Sequence, residues 1–315
     1  MARILVTRRL PGAALDRLAA HHEIDVWPER LPPKPSELRE LAAPAEGLLT
    51  LLTDSVDAEL IAGAHGLRAI ANYAVGVDNI DVDAATERGI PVGNTPDVLT
   101  ESTADLAVGL MLTAARRIVE GDRIVRQGEW LTWEPDFLLG RDLYDSTVGI
   151  VGYGRIGKAV ARRVEGFGCR VVYTSRWHGV ALPELLERAD FVSVHTPLTP
   201  ETRGLIDAEA LQQMKPTAYL VNTARGPIVD AVALGRALRE DWIAGAALDV
   251  TDPEPLPAEH VLLDAPNLTV LPHLGSATHA TREAMAEMAV HNLLAALAGE
   301  RMPYCVNPQV YGSDS

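Results

Sequence analysis

Residues 148–157 read VGIVGYGRIG: an apolar run, then Gly152, Gly154 and Gly157 in the spacing G-x-G-x-x-G, then the start of a helical pattern. That spacing has a mechanical reading. The first glycine permits a tight turn at a strand end. The second removes a side chain where backbone must approach a pyrophosphate, and the third lets a helix pack closely on the strand. The helix N-terminus then offers free N–H groups to phosphate. In this strand–turn–helix context the segment predicts a dinucleotide site on Gly152, Gly154, Arg155, Ile156 and Gly157.

The next apolar run decides which dinucleotide. An acid at its end would bind the ribose hydroxyls of NAD. Here RVVYTS ends in Ser175, followed by Arg176, with no acid. An arginine can pair with a 2′-phosphate, and a serine does not repel it. Hydrogen bonds to charged groups contribute about 1.5–3 kcal/mol, a preference of about ten- to a hundredfold. NADP (NADPH) is therefore the preferred cofactor, with NAD possible.

Outward from this motif the chain alternates short apolar runs with helical patterns, the signature of parallel sheets with crossover helices. Arg3–Thr7, Glu46–Leu52 and Leu67–Ala71 read as strands, and Gly12–Ala20, Ala58–Ala64 and Val82–Arg88 as helices. Pro28–Pro35 is proline-rich and reads as surface loop. Thr100 to about Gln127 reads as one long helix with Thr100, Ser102 and Thr103 as capping options. The apolar residues of LAVGLML cover most of its circumference, so it is expected to be buried between domains or in a dimer. After the glycine motif, FVSVHTP, TAYLVNTA, GAALDV and LTVLPH read as further strands, and about Ala277–Ala298 as a last helix ending at Gly299. A length of 315 residues fits two domains. The glycine motif belongs to the second series only, and the final segment is expected to return to the first domain.

Composition limits the partners. A formal net charge of −15 argues against nucleic acid and anionic membrane. An acidic substrate must then be held by local cations. Cys169 and Cys305, the two cysteines, stand in no C-x-x-C or Cys/His cluster, so neither a zinc site nor a disulfide framework is expected. Both read as packing residues. No signal-peptide pattern opens the sequence and no apolar run approaches the roughly 20 residues of a membrane span, which makes the cytoplasm the expected location.

Three polar segments follow successive strands: NTARGP at 222–227, DVTDPEP at 249–255 and PHLGSAT at 272–278. Strand ends are where open α/β sheets bind ligands. Reduction of a ketone requires a grip on the substrate, polarisation of its carbonyl and delivery of a proton. The planar fork of Arg225 suits the first two. His273 suits the third, with Glu254 as the carboxylate that keeps the proton on the ring.

With these pieces in place, the sequence resembles the D-2-hydroxyacid dehydrogenases along essentially its whole length. NYAVGVDNID, NTPDVLTESTADLA, VGYGRIG, HTPLTPET, NTARG, DPEP and PHLGSAT carry the resemblance in order. It implies two Rossmann-like, doubly wound parallel-sheet domains, the cofactor domain (99–285) inserted into a flavodoxin-like substrate-binding domain (1–98 and 286–315). It implies a catalytic triad of Arg225, Glu254 and His273, with backbone at Val75 and Gly76 gripping the substrate carboxylate and Ser276 at the substrate. Asp249 would bind the nicotinamide carboxamide. Thr103, His195, Pro197, Thr202, Thr223, Ala224, His273 and Gly275 would line the cofactor cleft.

Within the family, GEWLTWEPDFLLG resembles an element of the glyoxylate/hydroxypyruvate reductases in which the second tryptophan, here Trp133, reaches the active site of the neighbouring subunit in a homodimer. Plain dimer packing is the other reading of Trp130 and Trp133. The chain departs from the family after Arg176, where only WHGVAL stands in place of a longer excursion. Trp177 or His178 then packs on the adenine or fills the gap. The implied activity is reduction of a small 2-oxo acid. Alternatives are a dehydrogenase of D-lactate or phosphite, or a cofactor-sensing binding protein of the same fold. Phosphite enzymes of the family carry a lysine where Ala74 and Val75 stand here.

Overall fold

A computed structural model describes residues 1–312. The chain forms two compact units, one of residues 1–99 with Thr278 onward, the other of Thr100–Ala277. The second is thus inserted in the first. The junctions expected at 98/99 and 285/286 compare with 99/100 and 277/278. Position 285 lies inside a single continuous helix.

The first unit runs β1 (Arg3–Val6), α1 (Ala14–Ala19), β2 (Glu23–Val26), α2 (Pro35–Ala42), β3 (Gly47–Thr50), α3 (Ala58–Gly63), β4 (Ala69–Asn72), α4 (Val82–Glu87) and β5 (Val92–Gly93). Its sheet has the order β2-β1-β3-β4-β5, parallel throughout. Period-2 alternation builds a core on each face. Ile4 and Val6 pack in one cluster with Leu15 and Leu18, while Leu5 packs in the other with Leu38 and Leu60. The proline-rich stretch does not stay a loop to its end. Pro35 takes the first helical position of α2, and Glu37 accepts the Lys34 N–H at 2.8 Å.

The second unit begins with α5 (Thr100–Ala115) and α6 (Ile118–Gln127). The expected single helix is therefore broken. Arg117 takes a left-handed conformation (φ 51°, ψ 38°), its guanidinium clamped on both Glu120 oxygens at 2.7 and 2.8 Å. The Ala115 carbonyl accepts the Arg141 N–H at 2.9 Å. The break coincides with a change of environment: Ala104, Ala107, Leu110 and Met111 of α5 are buried, whereas α6 buries no residue.

Then follow β6 (Thr147–Val151), α7 (Arg155–Glu165), β7 (Arg170–Thr174), α8 (Leu182–Arg188), β8 (Phe191–Val194), α9 (Ala208–Gln213), β9 (Tyr219–Asn222), α10 (Ala231–Arg239), β10 (Gly245–Leu248) and β11 (Leu268–Val270). The six-stranded parallel sheet has the order β11-β10-β9-β8-β6-β7. Strand order reverses between β6 and β8, the switch point where doubly wound sheets open a crevice. Val148 and Ile150 face one core cluster and Val151 the other. The chain returns to the first unit through α11 (His279–Leu297), N-capped by the Thr278 hydroxyl, which accepts the Thr281 N–H. No helix among the described residues is long and apolar enough to cross a membrane.

Candidate active site

The glycine turn lies at the switch point of the second sheet. Gly152 has φ +97°, and a Cβ there would stand 2.6 Å from the His195 carbonyl carbon at the end of β8. A Cβ on Gly157 would meet the Gly152 oxygen at 2.2 Å, so α7 closes on the strand only without one. At Gly154 a Cβ would meet nothing within 4 Å. The protein therefore places no demand of its own on that glycine, and the open space beside it fits a pyrophosphate. Gly154 is also the N-cap of α7, with no side-chain cap and no acid in the first turn. The residues present fit a dinucleotide.

Several of the expected cofactor residues are held by hydrogen bonds at the ends of β8 and β9. His195 Nε2 is 2.8 Å from the buried Ser193 hydroxyl, and its Nδ1 is 3.4 Å from the Thr223 hydroxyl. Burial lowers His195 to about 4, so the ring is neutral at physiological pH. Thr202 donates to the Pro197 carbonyl at 2.7 Å and accepts the Thr199 N–H at 2.8 Å, which shapes the loop after β8. Ser175 and Arg176 follow β7 directly.

The three polar strand ends belong to neighbours: Arg225 follows β9, Glu254 follows β10 and His273 follows β11. His273 Nδ1 and Glu254 Oε1 are 2.6 Å apart, with side-chain exposures of 22% and 32%, so the pair is shielded yet reachable. Two residues not singled out from sequence fix Arg225. Asn222, fully buried, donates to the Arg225 carbonyl at 2.8 Å and accepts the Ala224 N–H at 3.0 Å. Gly226 packs backbone to backbone, since a Cβ there would lie 1.9 Å from the Thr251 oxygen. The Thr251 N–H in turn points at Glu254 Oε2 at 3.5 Å. Both residues stand in quoted motifs, but only their contacts reveal the roles.

Asp249 organises the His273 turn. Its carbonyl accepts the His273 N–H at 2.9 Å, and its two carboxylate oxygens accept from Leu274 (2.6 Å) and Gly275 (2.8 Å). These bonds hold His273 at φ 56°, a left-handed conformation that few non-glycine residues adopt. Burial pushes the Asp249 carboxyl above its usual range, against the pull of the two N–H donors. Ser102 and Thr103 on α5 both donate to the Gly275 carbonyl, at 2.9 and 3.2 Å, and Ser276 beside it is buried.

Val75 and Gly76 lie in the first unit, in the loop after β4. Asn94 donates to the Val75 carbonyl and Asn72 to the Gly76 carbonyl, both at 2.8 Å. Because a trans peptide holds C=O and N–H on opposite sides, the N–H groups of Gly76 and Val77 are directed away from these anchors. Trp133 stands in the loop after α6 and is 77% exposed. A cleft of about 640 Å³ near Arg123, Pro216, Asp241 and Asn267 opens at the amino-terminal end of β9–β11, opposite the triad, and contains none of its residues.

Residues 108–275 match the family described as D-isomer specific 2-hydroxyacid dehydrogenase, NAD binding domain. A glyoxylate reductase of Korarchaeum cryptofilum is 49% identical, with 98% of this chain and 96% of the relative covered. One from Thermococcus onnurineus is 46% identical, with the same coverage of 98% and 96%. The crystal structure of a Thermus thermophilus protein matches with a TM-score of 0.91 at 52% identity, covering 96% of this chain and 99% of that one. An NADPH-dependent glyoxylate/hydroxypyruvate reductase from Sinorhizobium meliloti, solved with NADP and malonate, matches with a TM-score of 0.86 at 33% identity, covering 100% and 99%. Relatedness of that depth along nearly the whole chain makes this protein an oxidoreductase of the D-isomer specific 2-hydroxyacid dehydrogenase family.

Proposed function

We propose that the protein reduces a small 2-oxo acid, glyoxylate or hydroxypyruvate, to its D-2-hydroxy acid, glycolate or D-glycerate, with NADPH as reductant. The observation that carries the chemistry is the 2.6 Å contact between His273 and Glu254 at strand ends next to that of Arg225. The names of the relatives, glyoxylate reductases in the main, support the substrate class.

When bound, the reduced nicotinamide supplies a hydride to the carbonyl carbon. Arg225 holds the substrate and offers N–H donors to the keto oxygen as negative charge grows there. His273 delivers a proton to that oxygen, so the alkoxide never accumulates. Glu254 fixes the ring orientation through Nδ1 and balances the imidazolium charge, which leaves Nε2 as the proton-delivering nitrogen. The N–H groups beside Val75 and Gly76 take the carboxylate. Ser276, and Trp133 from a second copy in a homodimer, complete the substrate contacts.

On the cofactor side, Gly152, Gly154, Arg155, Ile156 and Gly157 hold the pyrophosphate, and Ser175 and Arg176 the phosphorylated ribose. Thr103, His195, Pro197, Thr202, Thr223, Ala224 and Gly275 line the cofactor cleft, with Asp249 assigned to the carboxamide. The absence of an acid after β7 and the NADP-bound Sinorhizobium relative support NADPH over NADH. The two unpaired cysteines fit a reducing cytoplasm.

Steady-state oxidation of NADPH and NADH by the purified protein, with glyoxylate and hydroxypyruvate, tests this reading. Faster turnover with NADPH is the expected result. No turnover with either acid would overturn the substrate assignment, and equal rates with the two cofactors the NADPH assignment.

A further inference from the structure

The segment after β7 is a compact turn locked from several sides. The Ser175 N–H and hydroxyl both donate to the His178 carbonyl, at 2.9 and 2.8 Å, and the hydroxyl accepts the His178 N–H at 3.1 Å. Thr174 and Gly179 then bridge antiparallel, and the Val180 N–H donates to the Tyr173 carbonyl at 3.0 Å. Gly179 has φ +101°, and a Cβ there would lie 2.1 Å from the Tyr173 oxygen, so only glycine closes the turn. The turn is also fixed to the glycine motif. Tyr173 stacks on Tyr153, between Gly152 and Gly154, with ring centroids 3.9 Å apart, and the Gly152 N–H donates to the Thr174 carbonyl at 2.9 Å.

Two residues project from this rigid turn. Trp177 is 76% exposed, and the Arg176 guanidinium lies over its ring at 4.9 Å. Arg176 forms no ion pair among the described residues. Glu201, on the loop after β8, feels its charge only as a minor influence. Stacking engages the face of a guanidinium and leaves the N–H donors in its plane free for an anion. An unsupported arginine loses rotamer freedom when it is held on a phosphate, and pre-stacking removes part of that cost.

We propose that Trp177 is a positioning residue for cofactor selectivity: its indole holds Arg176 ready for the 2′-phosphate of the adenosine ribose, replacing the support of a longer loop. The proposal rests on the NADPH reading above and deepens it. It gives Ser175 a further role beside the ribose, closing the turn through the bonds of its hydroxyl to His178.

The test is calorimetric binding of 2′,5′-ADP and of 5′-AMP to the full-length protein and to Trp177→Ala, Trp177→Phe and Arg176→Ala. Because Trp177 is so exposed, its replacement leaves the fold in place. The expected result is a wild-type preference for 2′,5′-ADP. Trp177→Ala should lose about fivefold in 2′,5′-ADP affinity with 5′-AMP unchanged, a loss in the range of an exposed cation–π contact. Trp177→Phe should recover most of it. Equal weakening of both nucleotides in Trp177→Ala would overturn the proposal in favour of an adenine contact. An unaltered Trp177→Ala beside a weakened Arg176→Ala would overturn it as well. No preference in the wild type would overturn the NADPH reading itself.

Discussion

His273 Nδ1 and Glu254 Oε1 stand 2.6 Å apart across nineteen residues of sequence, held there by two adjacent strand ends. If His273 delivers the proton, His273→Ala lowers kcat by about 10²- to 10⁴-fold while NADPH binding, read by fluorescence, persists. Glu254→Gln keeps the shape and removes the charge. It is expected to lower kcat by about ten- to a hundredfold, the worth of a hydrogen bond to a charged partner. Unchanged turnover in either variant would remove that residue from the mechanism.

Arg225→Lys keeps the charge and loses the fork. With glyoxylate, kcat/KM is expected to fall about ten- to a hundredfold, because a point charge cannot engage carboxylate and keto oxygen together. A lysine variant with wild-type kinetics would show that charge alone suffices.

The second and third glycines of the turn separate folding from binding. A Cβ at Gly157 meets the Gly152 oxygen at 2.2 Å, whereas one at Gly154 meets nothing within 4 Å. Gly157→Ala should lower the melting temperature and cofactor affinity together. Gly154→Ala should leave the melting temperature unchanged and weaken NADPH binding, measured by titration. Full affinity in Gly154→Ala would place the pyrophosphate elsewhere.

Asn72 anchors the Gly76 carbonyl at 2.8 Å and also meets the Asn79 amide oxygen at 2.9 Å. Asn72→Ala frees the Val75–Gly76 loop. The KM for the 2-oxo acid is expected to rise about three- to tenfold with kcat much less affected, and stability to fall by about 1–3 kcal/mol as buried partners lose a hydrogen bond. An unchanged KM would remove that loop from substrate binding.

His195 is held neutral by burial, at about 4 in the fold against the ordinary 6.5. Between those values the unfolded chain binds a proton that the folded chain refuses, so stability falls as pH drops from about 6.5 toward 4. The contribution is at most about 3 kcal/mol. Urea unfolding between pH 4.5 and 7.5 should show a shallower loss for His195→Gln than for wild type. Parallel pH dependences would mean the ring accepts a proton in place.

The main strands and the glycine turn were legible because their causes are local: alternating apolar residues, and glycines whose spacing has a steric reason. β2 was missed because its sequence, EIDV, alternates charge with apolar residues at a sheet edge and is only half-buried. The break at Arg117 was invisible for a different reason. No glycine or proline marks it; it is imposed by the Arg141 N–H on the Ala115 carbonyl, a partner distant in sequence. At the site, residue types and strand ends pointed to Arg225, Glu254 and His273. Gly226 and the Asp249 carboxylate could not be read in advance, because they act through backbone contacts that exist only once the strands are side by side, whereas Asn222 acts within its own loop, on Ala224 and Arg225.

That same bond between Arg141 and Ala115 joins the two ends of the stretch that carries α6 and two exposed tryptophans, Trp130 and Trp133. Gly140 makes the junction tight, since a Cβ there would strike the Ala115 oxygen at 2.1 Å. Departure and return thus share one doorway. A cassette mounted in this way can be lengthened, shortened or exchanged without shifting the strands beside it, so the surface it presents is free to diverge while the catalytic frame stays fixed.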